Sequence, residues 1–375
     1  MKTAYVFSED FSKFDYGPAH PLKNFRLKLV YELVRAYGLL SLPETRYVEA
    51  VAASEEDIAS FHNKEYIEIL KAADRGSAPS GAGLWGLGPG DNPAFKGLFQ
   101  WSMLVTGASL QAAELVDSGE VAVAFNPSGG LHHASAARAS GFCYVNDPVI
   151  AIMSLLKKGR RIAYIDIDAH HGDGVQEAFY GTDRVLTISI HETGRTLFPG
   201  TGFEGEIGSG KGKGYSVNVP MPPRADDELF LFAFDQLIPP LIERFRPDIV
   251  VSQLGADSFY NDPLSHLNYT SKGFCEAVKR IKAMSHRLVA LGGGGYDVAN
   301  VARAWTLAWA IMNDREIADD IPDDFLKRYP DAGFGSGKIR DHIHPDEADD
   351  KEMMRKSIGR AVAWIRKNVF PLIST

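Results

Sequence analysis

The segment RIAYIDIDAHHGDG (161–174) opens as a strand and closes as a cluster of charge. Its first residues are almost continuously apolar, the pattern of a strand buried on both faces and hence of a parallel sheet. Three Asp and two His then fall within IDIDAHHGDG (165–174). Crowded carboxylates repel one another and lose hydration on burial, so folding alone gives no reason to keep them together.

Similar apolar runs recur along the chain. AYVF (4–7), EVAVAF (120–125), RVLTISI (184–190), DIVVSQL (248–254) and RLVALGG (287–293) read as further buried strands, and YSVNVP (215–220) also reads as a strand. Between them lie helix-like segments at 23–37, 55–73, 97–118, 147–158, 226–245, 271–285 and 298–313. A final stretch, 349–368, starts acidic and ends basic, as a helix dipole favours. No internal repeat or low-complexity linker divides the chain. The expectation is one α/β domain over 1–375, with a motif-bearing core at 4–313 and a helical extension at 314–375. The Gly- and Pro-rich stretch GSAPSGAGLWGLGPGDNP (76–93) is predicted to be a loop, and its length suits a functional one.

Composition narrows the function classes. A formal charge of −8 argues against binding to nucleic acid or to an anionic membrane surface. With only Cys143 and Cys275 there is no disulfide framework and no Cys-rich zinc site. No signal-type or membrane-length apolar run appears, which points to a soluble, cytoplasmic protein.

In parallel sheets, ligands collect at the carboxyl ends of the strands, and four such ends here carry unusual residues. After 120–125 come His132 and His133, in a Gly-rich loop. In the opening segment, Asp168 and His170 are placed to offer oxygen and nitrogen to one divalent metal. Asp257 follows a strand that ought to be wholly apolar, and is a candidate third ligand. Tyr296 follows four glycines in LGGGGYD (291–297) and can donate a hydrogen bond. Each has a plainer reading: a packed histidine, an Asp that caps a helix or turn, a loose glycine turn. Their coincidence on strand ends favours chemistry.

A metal held by Asp168, His170 and Asp257 would polarise a carbonyl and activate water. The two histidines could then accept and donate the proton, with Asp166 and Asp173 orienting them and Tyr296 completing an oxyanion site. That combination reads as metal-assisted amide hydrolysis. GEIGSGKG (205–212) lacks both the Ser/Thr and the following helix of a phosphate-binding loop. A nucleophilic Cys143 is a weaker option than a small buried thiol.

GGLHHA (129–134), GFCYVND (141–147), DIDAHHGDG (166–174), LFPGTG (197–202), GADS (255–258) and GGGGY (292–296) together resemble the ordered motifs of histone deacetylases. The likeness is to class I enzymes and their bacterial relatives, including acetoin-utilisation (AcuC-type) proteins, and runs from HPLKNFR (20–26) to ARAW (302–305). It implies an arginase-like fold with an eight-stranded parallel sheet, and metal-dependent removal of acetyl from lysine, with zinc as the ion and iron(II) as the alternative. It assigns Asp168, His170 and Asp257 to the metal, and His133 and His132 to base and charge stabilisation. It pairs these histidines with Asp173 and Asp166, and makes Tyr296 the oxyanion donor. Gly141, Phe142, Phe198 and Leu264 would line a lysine tunnel, Asp91 would bind substrate backbone, and Arg26 would sit in an internal cavity. It also implies two potassium sites, one at Asp166, Asp168, His170, Ser189 and Ile190, the other at Phe179, Thr182, Val185 and Tyr215.

The expected partner is an acetylated protein or peptide, with an acyl-CoA synthetase as one candidate from the AcuC likeness. Three alternatives stay open: a deacetylase of small amines such as acetylpolyamines, a guanidino hydrolase on the same fold, and an acetyl-lysine binding module.

Overall fold

The computed structural model describes residues 1–342 and 350–373. Eight strands form one parallel sheet: β1 (Thr3–Phe7), β2 (Thr45–Glu49), β3 (Val123–Asn126), β4 (Ile162–Asp166), β5 (Val185–Glu192), β6 (Ser216–Met221), β7 (Ile249–Gln253) and β8 (Leu288–Leu291). Their spatial order is β2-β1-β3-β8-β7-β4-β5-β6. Every residue of β1, β3, β4, β5, β7 and β8 is buried, which is why these runs show continuous rather than alternating apolarity.

The expected strands are all present, with ends that move by one to three residues: β4, β7 and β8 are shorter than expected, β1 gains Thr3, β5 runs on to Glu192, and β3 and β6 each start later and end one residue further on. The strand the apolar pattern passes over is β2, TRYVE, an edge strand with no buried residue. Edge strands need not be apolar, because one side faces no neighbour. The helix expected at 55–73 is two helices, Glu55–Ala59 and Lys64–Ala73, with His62 in the break between them. Two short helices, Asp173–Phe179 and Asp323–Arg328, add to the expected set. The loop at 76–93 holds a single 3-10 turn, Ala82–Trp85.

Two helix starts matter to the site. Asn146 caps helix Asp147–Lys157, its side chain accepting from Val149 N at 3.1 Å. The same side chain donates to the carbonyls of His132 and Ala134, so the cap also fixes the histidine loop. Asp297 caps helix Val298–Met312 immediately after Tyr296.

The C-terminal helix Lys351–Asn368 packs on helix Asp227–Phe245 and over β6. Lys351 pairs there with Asp226 and Glu228. Residues 343–349 and 374–375 of the expected C-terminal extension lie outside the described residues. Among the described residues no helix is long and apolar enough to cross a membrane.

Candidate active site

The four unusual strand ends, far apart in sequence, belong to four adjacent strands, β3, β8, β7 and β4. Parallel pairing sends their carboxyl ends to one edge of the sheet, and the polar residues converge there.

Asp168, His170 and Asp257 meet first. One potential ligand atom from each lies within 4.8 Å of the others, and all three residues are buried. His170 Nδ1 stands 2.9 Å from Asp257 Oδ2 and 3.2 Å from Asp168 Oδ1. Each carboxylate is oriented from behind. Asp168 Oδ2 accepts from Gln253 Nε2 at 2.6 Å and Gly294 N at 2.8 Å, and Asp257 Oδ1 accepts from Ala169 N at 2.9 Å. Burial, and then repulsion by Asp168, push Asp257 up to about 6. Two carboxylates and an imidazole buried together are the donor set of an open-sided divalent-metal site, and a cation there would relieve that repulsion. The residues present therefore fit a metal. The backbone makes room for it: a Cβ on Gly294 would lie 2.0 Å from Asp257 Oδ2.

Beside the cluster stand two histidine–carboxylate pairs. His132 Nδ1 is 2.8 Å from Asp166 Oδ2, and His133 Nδ1 is 2.7 Å from Asp173 Oδ1. Their Nε2 atoms face each other at 3.0 Å. Asp166 is held by the Tyr164 hydroxyl at 2.8 Å and by Asp168 N at 3.1 Å. Burial disfavours a cation at His132, but Asp166 and Asp168 outweigh it and push the group up to about 9. Burial and then the charge of His132 hold His133 below its ordinary value, against the pull of Asp173. One ring thus favours a proton and the other its absence.

The aromatic residues close around these groups. The His133 and Phe198 rings lie 5.0 Å apart, and Phe142 and Tyr296 lie 5.5 Å apart. Phe142 takes a left-handed backbone, φ 68°, costly for a bulky residue. Before it, Gly141 at φ 49° could carry no side chain, since a Cβ would come within 2.4 Å of the His133 ring. Gly141 and Phe198 also border an open groove with Asp91, which puts Asp91 at the mouth of the site. Arg26 is buried on the far side, donating to the carbonyls of Gly295 at 2.8 Å and Gly293 at 2.9 Å. It shares a small cavity with His132, His133, Cys143 and Tyr296. Burial pushes the Cys143 thiol up, which rules against a resting thiolate nucleophile.

The other residues named from the resemblance lie as follows. Asp166 and Ser189 are register partners on β4 and β5, with Ile190 next along β5. Phe179 ends helix Asp173–Phe179, Thr182 N bonds the Phe179 carbonyl, and Val185 opens β5. Tyr215 reaches the same strand, its carbonyl accepting from Thr187 N at 2.9 Å. Leu264 lies in the loop after Asp257, its N–H bonded to Asp262 at 3.0 Å.

Several residues escape the sequence reading. His171, left without a role there, is buried and bonds Thr201 Oγ1 at 2.8 Å, tying the loop that carries Phe198 to the strand end. Gln253 and Tyr164 hold the two central carboxylates. A buried strand that ends on Ser252 and Gln253 after three apolar residues is the visible signal for the first; nothing in sequence marks the second.

With this geometry in view, comparison with known proteins is direct. The Histone deacetylase domain family matches residues 20–312. Histone deacetylase B of Dictyostelium discoideum is 42% identical over 335 residues, covering 88% of this chain and 78% of that protein. Histone deacetylase 9 of Arabidopsis thaliana is 41% identical over 332 residues, covering 88% and 77%. The crystal structure of an HDAC homolog complexed with SAHA superposes with a TM-score of 0.88 at 37% identity, covering 96% of this chain and 100% of that one. An HDAC homolog from Aquifex aeolicus gives a TM-score of 0.86 at 36% identity, with the same coverage. Sheet, strand-end cluster and relatives agree, and the chain belongs to the histone deacetylase family.

Proposed function

We propose that this deacetylase is a metal-dependent hydrolase of acetylated lysine side chains in proteins or peptides, releasing acetate. The observation that carries the reading is the carboxylate-backed histidine pair beside the Asp168–His170–Asp257 cluster, behind Phe142 and Phe198. Asp168, His170 and Asp257 would hold zinc, with iron(II) as the alternative. Bound there, the ion supplies Lewis acidity toward the acetyl carbonyl and the attacking water.

The chain's own residues do the rest. Asp173 occupies His133 Nδ1, so Nε2, which faces His132 Nε2 at rest, is the atom that takes a proton from water as the water oxygen bonds to the acetyl carbon. The C–N bond then breaks, and His133 Nε2 returns that proton to the departing amine. His132, kept cationic by Asp166, offsets the negative charge that develops on oxygen. The Tyr296 hydroxyl donates to the same oxygen. Phe142 and Phe198 pack along the lysine stem, Gly141 leaves it room, and Leu264 lines the wall. Asp91 accepts from substrate backbone N–H groups at the mouth, and Arg26 pairs with acetate within.

The same reading gives potassium to two sites. Asp166, Asp168, His170, Ser189 and Ile190 would hold one ion; Phe179, Thr182, Val185 and Tyr215 would hold the other. It treats 1–375 as a single catalytic domain, working in the cytoplasm, with an acyl-CoA synthetase as a candidate substrate.

The test is acetate release from an acetyl-lysine peptide by the full chain, before and after chelation. Activity should vanish with the metal and return with added zinc; turnover that survives complete metal removal overturns the mechanism. An acetylpolyamine run in the same assay decides the substrate, since a higher kcat/KM on it would displace the protein-lysine reading.

A further inference from the structure

The Tyr296 hydroxyl can help only if it stands in one place, and its local chain does little to put it there. Three of the four preceding glycines are Gly293, Gly294 and Gly295; Gly293 and Gly295 adopt φ of 144° and 139°, conformations open to glycine and closed to almost any other residue. The helix begins only at Val298, capped by Asp297. Tyr296 is therefore strung between a pliant run and a helix start, and something outside the segment must hold it.

Asp168 takes the Gly294 N–H at 2.8 Å, but at Tyr296 itself the hold comes from a different carboxylate. Asp262, almost wholly buried, accepts from Tyr296 N at 2.8 Å and from Asp297 N at 3.3 Å through Oδ2. Its Oδ1 accepts from Leu264 N at 3.0 Å. Asp262 belongs to the loop that leaves Asp257, and that loop is itself pinned. The Ser265 hydroxyl donates to the Asp257 carbonyl, and His266 donates from N and Nδ1 to the buried Glu192 at 2.8 and 2.9 Å. A second bridge runs alongside, from Asn300 Nδ2 to Asn261 Oδ1 at 2.7 Å. From the opposite side Arg26 grips the carbonyls of Gly293 and Gly295. The glycine run is thus held at its carbonyls by Arg26 and at Gly294 N by Asp168, while the amides of Tyr296 and Asp297 are held by Asp262.

We infer that Asp262 is the positioning residue for Tyr296: its carboxylate transfers the rigidity of the Asp257 loop to the backbone that carries the oxyanion donor. This rests on the proposed role of the Tyr296 hydroxyl. Asp262 touches neither substrate nor metal; it acts by fixing where that hydroxyl stands. Asn at this position keeps the shape but replaces one acceptor with an NH2 facing an N–H donor, so either the Leu264 bond or the Tyr296 pair is lost.

The experiment is a double-mutant cycle in the full, metal-loaded chain, with an acetyl-lysine peptide as substrate. Asp262→Asn should lower kcat on the order of 10- to 100-fold with KM little changed, the effect of misplacing a group used in the transition state. Bound metal per chain should stay at the wild-type level. In a Tyr296→Phe background the same change should cost less than about twofold, because the hydroxyl it positions is gone. If Asp262→Asn does not fold, Asp262→Glu, which keeps the charge and moves it, takes its place in the cycle with the same expectation. An equal loss with and without the Tyr296 hydroxyl overturns the inference, as does full activity of the single variant. If Tyr296→Phe alone leaves turnover intact, it is the proposed function that falls.

Discussion

His132 and His62 are buried alike, at 3% and 2% exposure, and end with opposite tendencies. His62, in the break between two short helices, accepts the Asn146 N–H at Nε2 and faces no carboxylate among the groups that shift it. Burial pushes it down to about 4, with only backbone groups favouring the cation. His132 suffers the same desolvation, yet Asp166 and Asp168 drive it up to about 9. Burial is common to both; the carboxylates at the end of β4 make the difference. A histidine's readiness to carry charge here is set by the strand end it faces.

His133→Ala gives the largest expected effect. Loss of the proposed base should reduce kcat for acetate release by roughly 100- to 10,000-fold. A variant keeping a tenth of wild-type turnover would break the assignment. Next comes a contrast between the two orienting carboxylates. Asp166→Asn should cost on the order of 10- to 100-fold. Asp173→Asn should cost less, because the Asp173 side chain is 29% exposed and water can replace part of what is lost, whereas Asp166 is fully buried. Equal losses, or the reverse order, would show that depth of burial does not rank these partners.

The smallest effect is read in stability. Because His62 in the folded chain sits near 4, the unfolded chain takes up this proton first as pH falls. Stability is then full above the ordinary histidine value near 6.5 and declines toward pH 4, by about 3 kcal/mol for this group. Urea denaturation at pH 7 and pH 4.5 should show a shallower decline in His62→Gln than in wild type. Identical declines would remove His62 from the comparison.

Much of this was legible in sequence for one physical reason. A polar residue at the end of a doubly buried strand has no structural excuse, so Asp166, Asp168, Asp257 and the His132–His133 pair stand out against apolar runs. The helices with long apolar faces were equally plain. β2 was not, because an edge strand with exposed residues carries no such contrast. Helix Asp173–Phe179 was hidden by its two-turn length and the glycine at its second position. Asp262 and His171 have meaning only through partners, Tyr296 and Thr201, that are 34 and 30 residues away. Pairing across that distance is a property of the sheet order, which no local pattern records.

That order has a consequence for how the protein is made. β8, last of the strands in the chain, lies in the middle of the sheet, between β3 and β7. Until Leu288–Leu291 has left the ribosome, the growing chain can hold only two half-sheets, β2-β1-β3 and β7-β4-β5-β6. One half would carry the loop with His132 and His133, the other Asp168, His170 and Asp257, and nothing would join them. Each would also present an unpaired inner edge, β3 or β7, of the kind that recruits another strand. For most of its synthesis the nascent chain therefore keeps the residues of the candidate site apart and its inner edges open to aggregation, and insertion of one four-residue strand ends both conditions together.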